Sequence, residues 1–153
     1  MPQHKLQVEA IAHGTVIDHI PAGMGIRILK FFQLSDQDHP ITVGLNLRSK
    51  HQGKKDIIKV EDTVFDVTQA NQLALFAKDA TINVIDNYEV VEKYRVTLPD
   101  AIDSVLACPN SNCISNEEPV NTKFHISESA SGVVLKCHYC EKSFNQRLFN
   151  ELN

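Results

Sequence analysis

The sequence predicts an α+β protein in two parts: an antiparallel sheet with two helices, then a small all-β domain that carries every cysteine. Three observations predict it. Over the first 97 residues, apolar alternation and helical spacing succeed one another in the order β, α, β, β, α, β, with extra strands at the ends. The four cysteines, Cys108, Cys113, Cys137 and Cys140, all fall in the last third of the 153-residue chain. Between them, "TLPD" (97–100) sets Pro99 where the strand pattern stops and the composition changes, which divides the chain into 1–97 and 98–153.

Each element has its own reason. "LQVEAIA" and "TVIDHI" are short β-type runs separated by the turn signal His13-Gly14. "AGMGIRILKFFQL" places Met24, Ile28 and Phe31/Phe32 at helical spacing, and Pro21 before it suits a helix start. "ITVGLNL" alternates Ile41, Val43, Leu45 and Leu47 against Thr42, Gly44 and Asn46, the pattern of a half-buried strand. The cationic tip "RSKHQGKK" reads as a hairpin loop into "DIIKVED", and Thr68 is the expected N-cap of the helix "QANQLALFAKD". "TINVID" and "YEVVEKYRV" are strands joined around Asp86-Asn87. Helices on one face of a largely antiparallel sheet in this order make a ferredoxin-like α/β sandwich.

Charge narrows the function. The formal net charge is −4. Residues 1–97 hold 11 Lys/Arg and 12 Asp/Glu, while 98–153 hold 4 and 7. A metal held by four thiolates would make the second part more negative still, which excludes a nucleic-acid reader. No apolar run is long enough to cross a bilayer, and "MPQHKLQVEA" lacks the apolar region of a secretory signal, so the expected location is the cytoplasm, with no membrane partner.

The cysteines are spaced C-x4-C, 23 residues, C-x2-C. Each short loop puts two sulfurs on one edge of a tetrahedron, and the long segment brings the edges together, as a structural zinc site requires. Two disulfides are the competing arrangement, disfavoured in a reducing cytoplasm. Four thiolates leave no open position for water or substrate, so the metal folds the domain rather than catalyses. Asn110, Ser111 and Asn112, between two ligands, either satisfy turn geometry or present a rigid polar loop to a partner.

The first part shows no catalytic constellation. His19 beside Asp18 is an acid/base pair only in outline, and "GMG" at 23–25 lacks the rest of a phosphate-binding fingerprint. Lys59 in "DIIKV" and Lys93 in "VVEKY" are cations inside apolar runs. Two strands directing them toward one pocket is the sharper reading; a solvated sheet face is the commoner case.

Taken together, "KLQVEAI", "GTVIDHIPAG", "ITVGLNL", "KKDIIKVE", "QLALFA", "ATINVIDNYEVV", "CPNSNCIS", "EPV" and "LKCHYCEKSF" resemble the regulatory chain of aspartate carbamoyltransferase, in order from about Lys5 to about Phe144. The resemblance implies a non-catalytic subunit with an N-terminal allosteric domain for nucleoside triphosphates and a C-terminal zinc domain that docks on the catalytic chain. It implies that Glu9, Ala10 and Ile11 lie beside the base, with Asn83, Ile85, Tyr88 and Val90 completing that wall, and that Asp18, Lys59 and Lys93 contact ribose and phosphates. His19 and Lys55 resemble residues that serve a second nucleotide bridged by a metal, expected to be magnesium. The four cysteines match the family's ligands for one zinc per chain, and Asn110, Asn112 and Glu141 match positions that face the catalytic subunit. "ITVGLNL" resembles the strand that pairs across a twofold axis to form a regulatory dimer. CTP and UTP as inhibitors and ATP as activator of pyrimidine biosynthesis follow from the same resemblance, with catalytic trimers as partners. The loop "RSKHQG", the stretch "NTKFHISESASG" and the tail after Phe144 match no pattern residue by residue. Two rivals stand beside it: a zinc-ribbon adaptor whose first domain binds another small ligand, and an enzyme using Asp18 and His19.

Overall fold

The computed structural model describes residues 10–36, 38–50, 53–130 and 132–151. The chain divides into two units, Met1–Leu98 and Pro99–Asn153.

In the first unit the order is β1 (Gly14–Pro21), α1 (Gly25–Phe31), β2 (Ile41–Ser49), β3 (Gly53–Glu61), α2 (Val67–Gln72), β4 (Thr81–Asp86) and β5 (Glu89–Arg95). The strands lie in the order β2-β3-β1-β4-β5 and every neighbouring pair is antiparallel. The first four strands have the ferredoxin-like arrangement, and β5 adds to β4 through a tight hairpin. Asn87 and Tyr88 both sit at positive φ in that turn (52° and 65°), as a two-residue hairpin loop demands.

One face of this sheet is the core. Ile17, Ile58 and Ile82 are fully buried, as are Ile20 and Ile28, and each such side chain contributes about 1.5–3 kcal/mol by leaving water. Phe31, at the end of α1, stacks on Phe76 with ring centroids 4.9 Å apart, and Phe32 meets the same ring edge-on at 5.8 Å. Those contacts tie the two helical segments together over the sheet.

Several local expectations need correction. Residues 10–12 of "LQVEAIA" are not strand, and the earlier part of that run lies outside the described residues. Pro21 closes β1 instead of opening a helix, which starts four residues later. The N-cap of α2 is Asp66, not Thr68: its carboxylate accepts from the Gln69 N–H at 2.7 Å while the Gln69 side chain accepts from the Asp66 N–H at 3.2 Å. An acidic Ncap with glutamine at N3 closes a reciprocal box that threonine at N2, two residues further in, cannot make. The clean alternation of β2 fails as well. A bulge between Gly44 and Leu47 leaves Leu45 43% exposed, and Asn46 turns to φ 58°.

The second unit has β6 (Ala101–Asp103), β7 (Lys123–Ser129), β8 (Gly132–Cys137), β9 (Ser143–Asn145) and a short helix α3 (Gln146–Glu151). Its strands form one antiparallel sheet in the order β6-β7-β8-β9. The helix in the tail was not legible in the sequence; it delivers Phe149 edge-on to Phe124 at 5.3 Å, and both rings are buried. With Ile102, Leu106 and Leu135, they are nearly the whole apolar core among the described residues of this unit, apart from the cysteines. Small cores of this kind need a further source of stability. No helix among the described residues is long and apolar enough to cross a membrane.

Candidate metal centre and ligand pocket

The four cysteines converge. All four Sγ atoms lie within 4.8 Å of one another, and none is in a disulfide. Cys108 and Cys140 are 3.8 Å apart, Cys113 and Cys137 3.7 Å. Four thiolates at about 2.3 Å from a metal place their sulfurs about 3.8 Å apart along a tetrahedral edge. That spacing fits zinc and is far beyond the about 2.05 Å of a disulfide bond.

The two loops are built to hold this shape. In the first, the Cys113 N–H donates to the Asn110 carbonyl at 2.9 Å, and the Asn112 N–H donates to Asn110 Oδ1 at 3.1 Å. The Asn116 amide then donates to the carbonyls of Cys108 (3.1 Å) and Asn110 (2.8 Å), which pins the loop from behind. In the second, the Glu141 N–H returns to the Cys137 carbonyl at 3.0 Å with Glu141 at φ 62°, and the Cys137 N–H donates to the Lys142 carbonyl at 2.9 Å. Asn110 is therefore used up by the turn, whereas Asn112 and Glu141 are exposed. Ser115 and Asn116 escaped sequence reasoning, because a hydroxyl and an amide after the second cysteine follow no spacing rule.

Protonation divides the centre. Burial pushes the Cys108 thiol up to about 12 and raises Cys137 too. A hydrogen bond with Ser115 Oγ, 3.1 Å away, lowers Cys113. Cys140 is pushed up by burial but pulled down harder by hydrogen bonds, led by the Lys142 backbone and the Asn110 side chain, to about 7. The metal, once bound, expels the remaining protons.

The first unit carries a pocket on the sheet face opposite the isoleucine core. Lys59 of β3 pairs with Val16 of β1, Val16 with Asn83 of β4, and Asn83 with Lys93 of β5, so these four form one row across the strands. A concavity of ≈ 250 Å³ lies over the first three of them, Lys59, Val16 and Asn83. Of the residues expected at a ligand site, Ala10, Ile11, Asp18, Lys59, Asn83, Ile85, Tyr88 and Val90 line it. Val16 and Ile57 also line it and were missed, since a floor valine or isoleucine looks like core in any sequence.

The rest are placed differently. Lys93 shares the row but is exposed on the edge strand and does not line the cavity. Lys55 Nζ pairs with Asp18 at 2.9 Å. His19 sits in a bulge at φ 59° with its Nδ1 3.0 Å from Thr81 Oγ1, while its main-chain N–H, not its ring, donates to Asp18 at 2.6 Å. An Asp18–His19 acid/base pair therefore gains no support. Glu9 lies outside the described residues.

Chemically the pocket has apolar walls from Ile11, Ile57, Ile85 and Val90, an aromatic side from Tyr88, and a buried ammonium, Lys59, only 7% exposed. Apolar walls around a cationic side chain can accept a partly apolar molecule that bears negative charge.

Comparison with known proteins agrees over nearly the whole chain. The family model described as the aspartate carbamoyltransferase regulatory chain, allosteric domain, matches residues 6–97, and that of the same chain's metal binding domain matches residues 100–150. A protein of Psychromonas ingrahamii named aspartate carbamoyltransferase regulatory chain is 56% identical over 151 residues, covering 99% of both chains. Proteins of the same name from Chromobacterium violaceum (53% over 150 residues, covering 98% and 99%) and Photorhabdus laumondii (56% over 145 residues, covering 95% and 94%) are similar.

Proposed function

The chain belongs to the family of aspartate carbamoyltransferase regulatory chains, and on that premise we propose that it is a non-catalytic subunit that reports nucleotide levels to its enzyme. The first unit binds a nucleoside triphosphate, and the second, folded around zinc, docks on the catalytic chain. The single observation that supports this best is the row Lys59–Val16–Asn83 beneath a concave pocket, with Lys93 next in the same row on the edge strand.

In this reading the base lies between the segment of Ala10 and Ile11 and the side formed by Tyr88 and Val90. Ribose lies near Asp18, and the phosphates meet Lys59, with Lys93 beyond. His19 and Lys55 serve a second nucleotide bridged by magnesium. Zinc, when bound, supplies folding free energy, on the order of 10–16 kcal/mol in comparable small sites. The cysteines hold the Asn110–Asn112 loop and Glu141 in a fixed shape for the catalytic chain.

The effectors are CTP and UTP as inhibitors and ATP as activator of pyrimidine biosynthesis. A nucleotide controls the enzyme only by binding two states of the assembly with different affinity. A pyrimidine and a purine fill one pocket differently, so each favours a different state. β2 is an edge strand of the sheet, and its pairing with a second copy across a twofold axis makes the regulatory dimer and hides that edge.

The test is the aspartate saturation curve of the catalytic trimer, recorded alone, with the zinc-loaded chain, and with CTP or ATP added. A curve that shifts only when chain and nucleotide are both present supports the reading. Binding without any nucleotide response would remove the allosteric half of it.

A further inference from the structure

One buried group has no part in this account. Asp56, in the middle of β3, is fully buried. Its Oδ1 accepts from the Asn46 N–H at 2.9 Å, and its Oδ2 accepts from the N–H groups of Gly23 (3.0 Å) and Gly25 (2.9 Å). The Gly23-Met24-Gly25 run thus cradles a carboxylate of its own chain. A Cβ on Gly25 would come within 3.0 Å of Oδ2 and 3.1 Å of the Asp56 Cβ, so the close approach needs glycine there.

The register shows what this carboxylate ties together. On one side of β3, Leu45 and Asn46 fall between the pairs Gly44–Ile57 and Leu47–Lys55, and so oppose Asp56 alone. On the other side, Asp18 and His19 fall between Ile17–Ile58 and Ile20–Asp56, and so oppose Ile57 alone. Two bulges therefore flank adjacent residues of one strand, each with a residue at positive φ, His19 (59°) and Asn46 (58°). The β1 bulge carries Asp18, which lines the pocket; the β2 bulge belongs to the sheet edge. Ladder hydrogen bonds are interrupted at a bulge, so both strands have local give there. At the β2 bulge the Asp56 carboxylate replaces the missing ladder bond with a side-chain one.

We propose that Asp56 is a positioning residue that couples the pocket to the edge strand β2 and to the start of α1. A ligand that engages Asp18, Ile57 or Lys59 displaces the β1 bulge and β3, and Asp56 passes that displacement to the main chain at Asn46 and Gly25. The inference rests on the pocket being the nucleotide site.

Hydrogen exchange of the full zinc-loaded chain, with and without saturating CTP, separates the two ideas. Segment 81–90 reports the pocket and segment 41–49 reports β2. In the native chain CTP slows exchange in both, by about fivefold or more for a coupling of ordinary size. Asp56→Asn keeps an oxygen for Gly23 and Gly25 but sets its NH₂ against the Asn46 N–H. The 81–90 response then remains while the 41–49 ratio falls to about one. Gly25→Ala displaces the same carboxylate from the α1 side, is expected to have the same effect, and serves if the asparagine variant does not fold. Undiminished protection of 41–49 in a folded variant overturns the proposal, as does a native chain in which 81–90 responds and 41–49 does not. A native chain in which neither segment responds removes the nucleotide reading itself, and this coupling with it.

Discussion

Val90 and Lys93 are three residues apart on β5, yet they point to the same side of the sheet. Val90 pairs with Ile85 and Lys93 with Asn83, two residues apart on β4, because Val91 is an extra residue between Val90 and Glu92. In a regular strand an odd separation puts side chains on opposite faces. The bulge is what puts a pocket-wall residue and a cation of the same short strand on one face of the sheet.

From that placement, Lys59→Ala should weaken CTP binding about tenfold or more, since a charge-assisted hydrogen bond in a buried setting is worth about 1.5–3 kcal/mol. Lys93→Ala, on an exposed edge, should cost less, about two- to fivefold. Titration calorimetry on the zinc-loaded chain reads both. Equal affinity in native chain and both variants would mean that the nucleotide binds elsewhere.

Metal removal should act on one unit. A mercurial that titrates the four thiols should release about one zinc per chain. The sheet of residues 101–145 should then lose its amide dispersion in NMR, while the strands of Gly14–Arg95 keep theirs, because the isoleucine core of that unit needs no metal. Loss of order in both units would contradict this division of labour.

The cysteine protonation pattern sets a pH dependence. With Cys108 at about 12 and Cys137 raised, both carry protons in the metal-free centre at pH 8, whereas Cys113 is lowered and Cys140, at about 7, is mostly ionised. Zinc binding should therefore expel at least the two protons of Cys108 and Cys137 at pH 8, and one more below pH 7, once Cys140 is protonated. Affinity must fall as pH falls, and fall more steeply on the acid side. Calorimetry in buffers of different ionisation enthalpy counts the protons; a count near four at pH 8 would contradict the pattern.

For α2, Asp66→Ala should cost about 1 kcal/mol in urea unfolding of the first unit, the usual value of an N-cap. Thr68→Ala, inside the first turn, should stay within about 0.5 kcal/mol. The reverse order would restore Thr68 as the cap.

The sequence by itself determined the clustering of the four cysteines and most of the strands in their order along the chain, though not where their alternation breaks. Cysteine spacing survives any detail of packing, and period-two burial needs only local chain geometry. Most pocket residues, Ala10, Ile85 and Tyr88 among them, were reached through resemblance rather than through residue chemistry, since nothing local marks them. Only the tertiary structure decided the bulges at Asp18–His19, Leu45–Asn46 and Val91, because an extra residue in a strand is defined by the strand opposite it. For the same reason it alone put Val16 and Ile57 in the pocket floor, committed Lys55 to Asp18, and showed that the glycines at 23 and 25 hold the buried carboxylate of Asp56. Partners distant in sequence carry no signal in a single chain until folding brings them within hydrogen-bonding range.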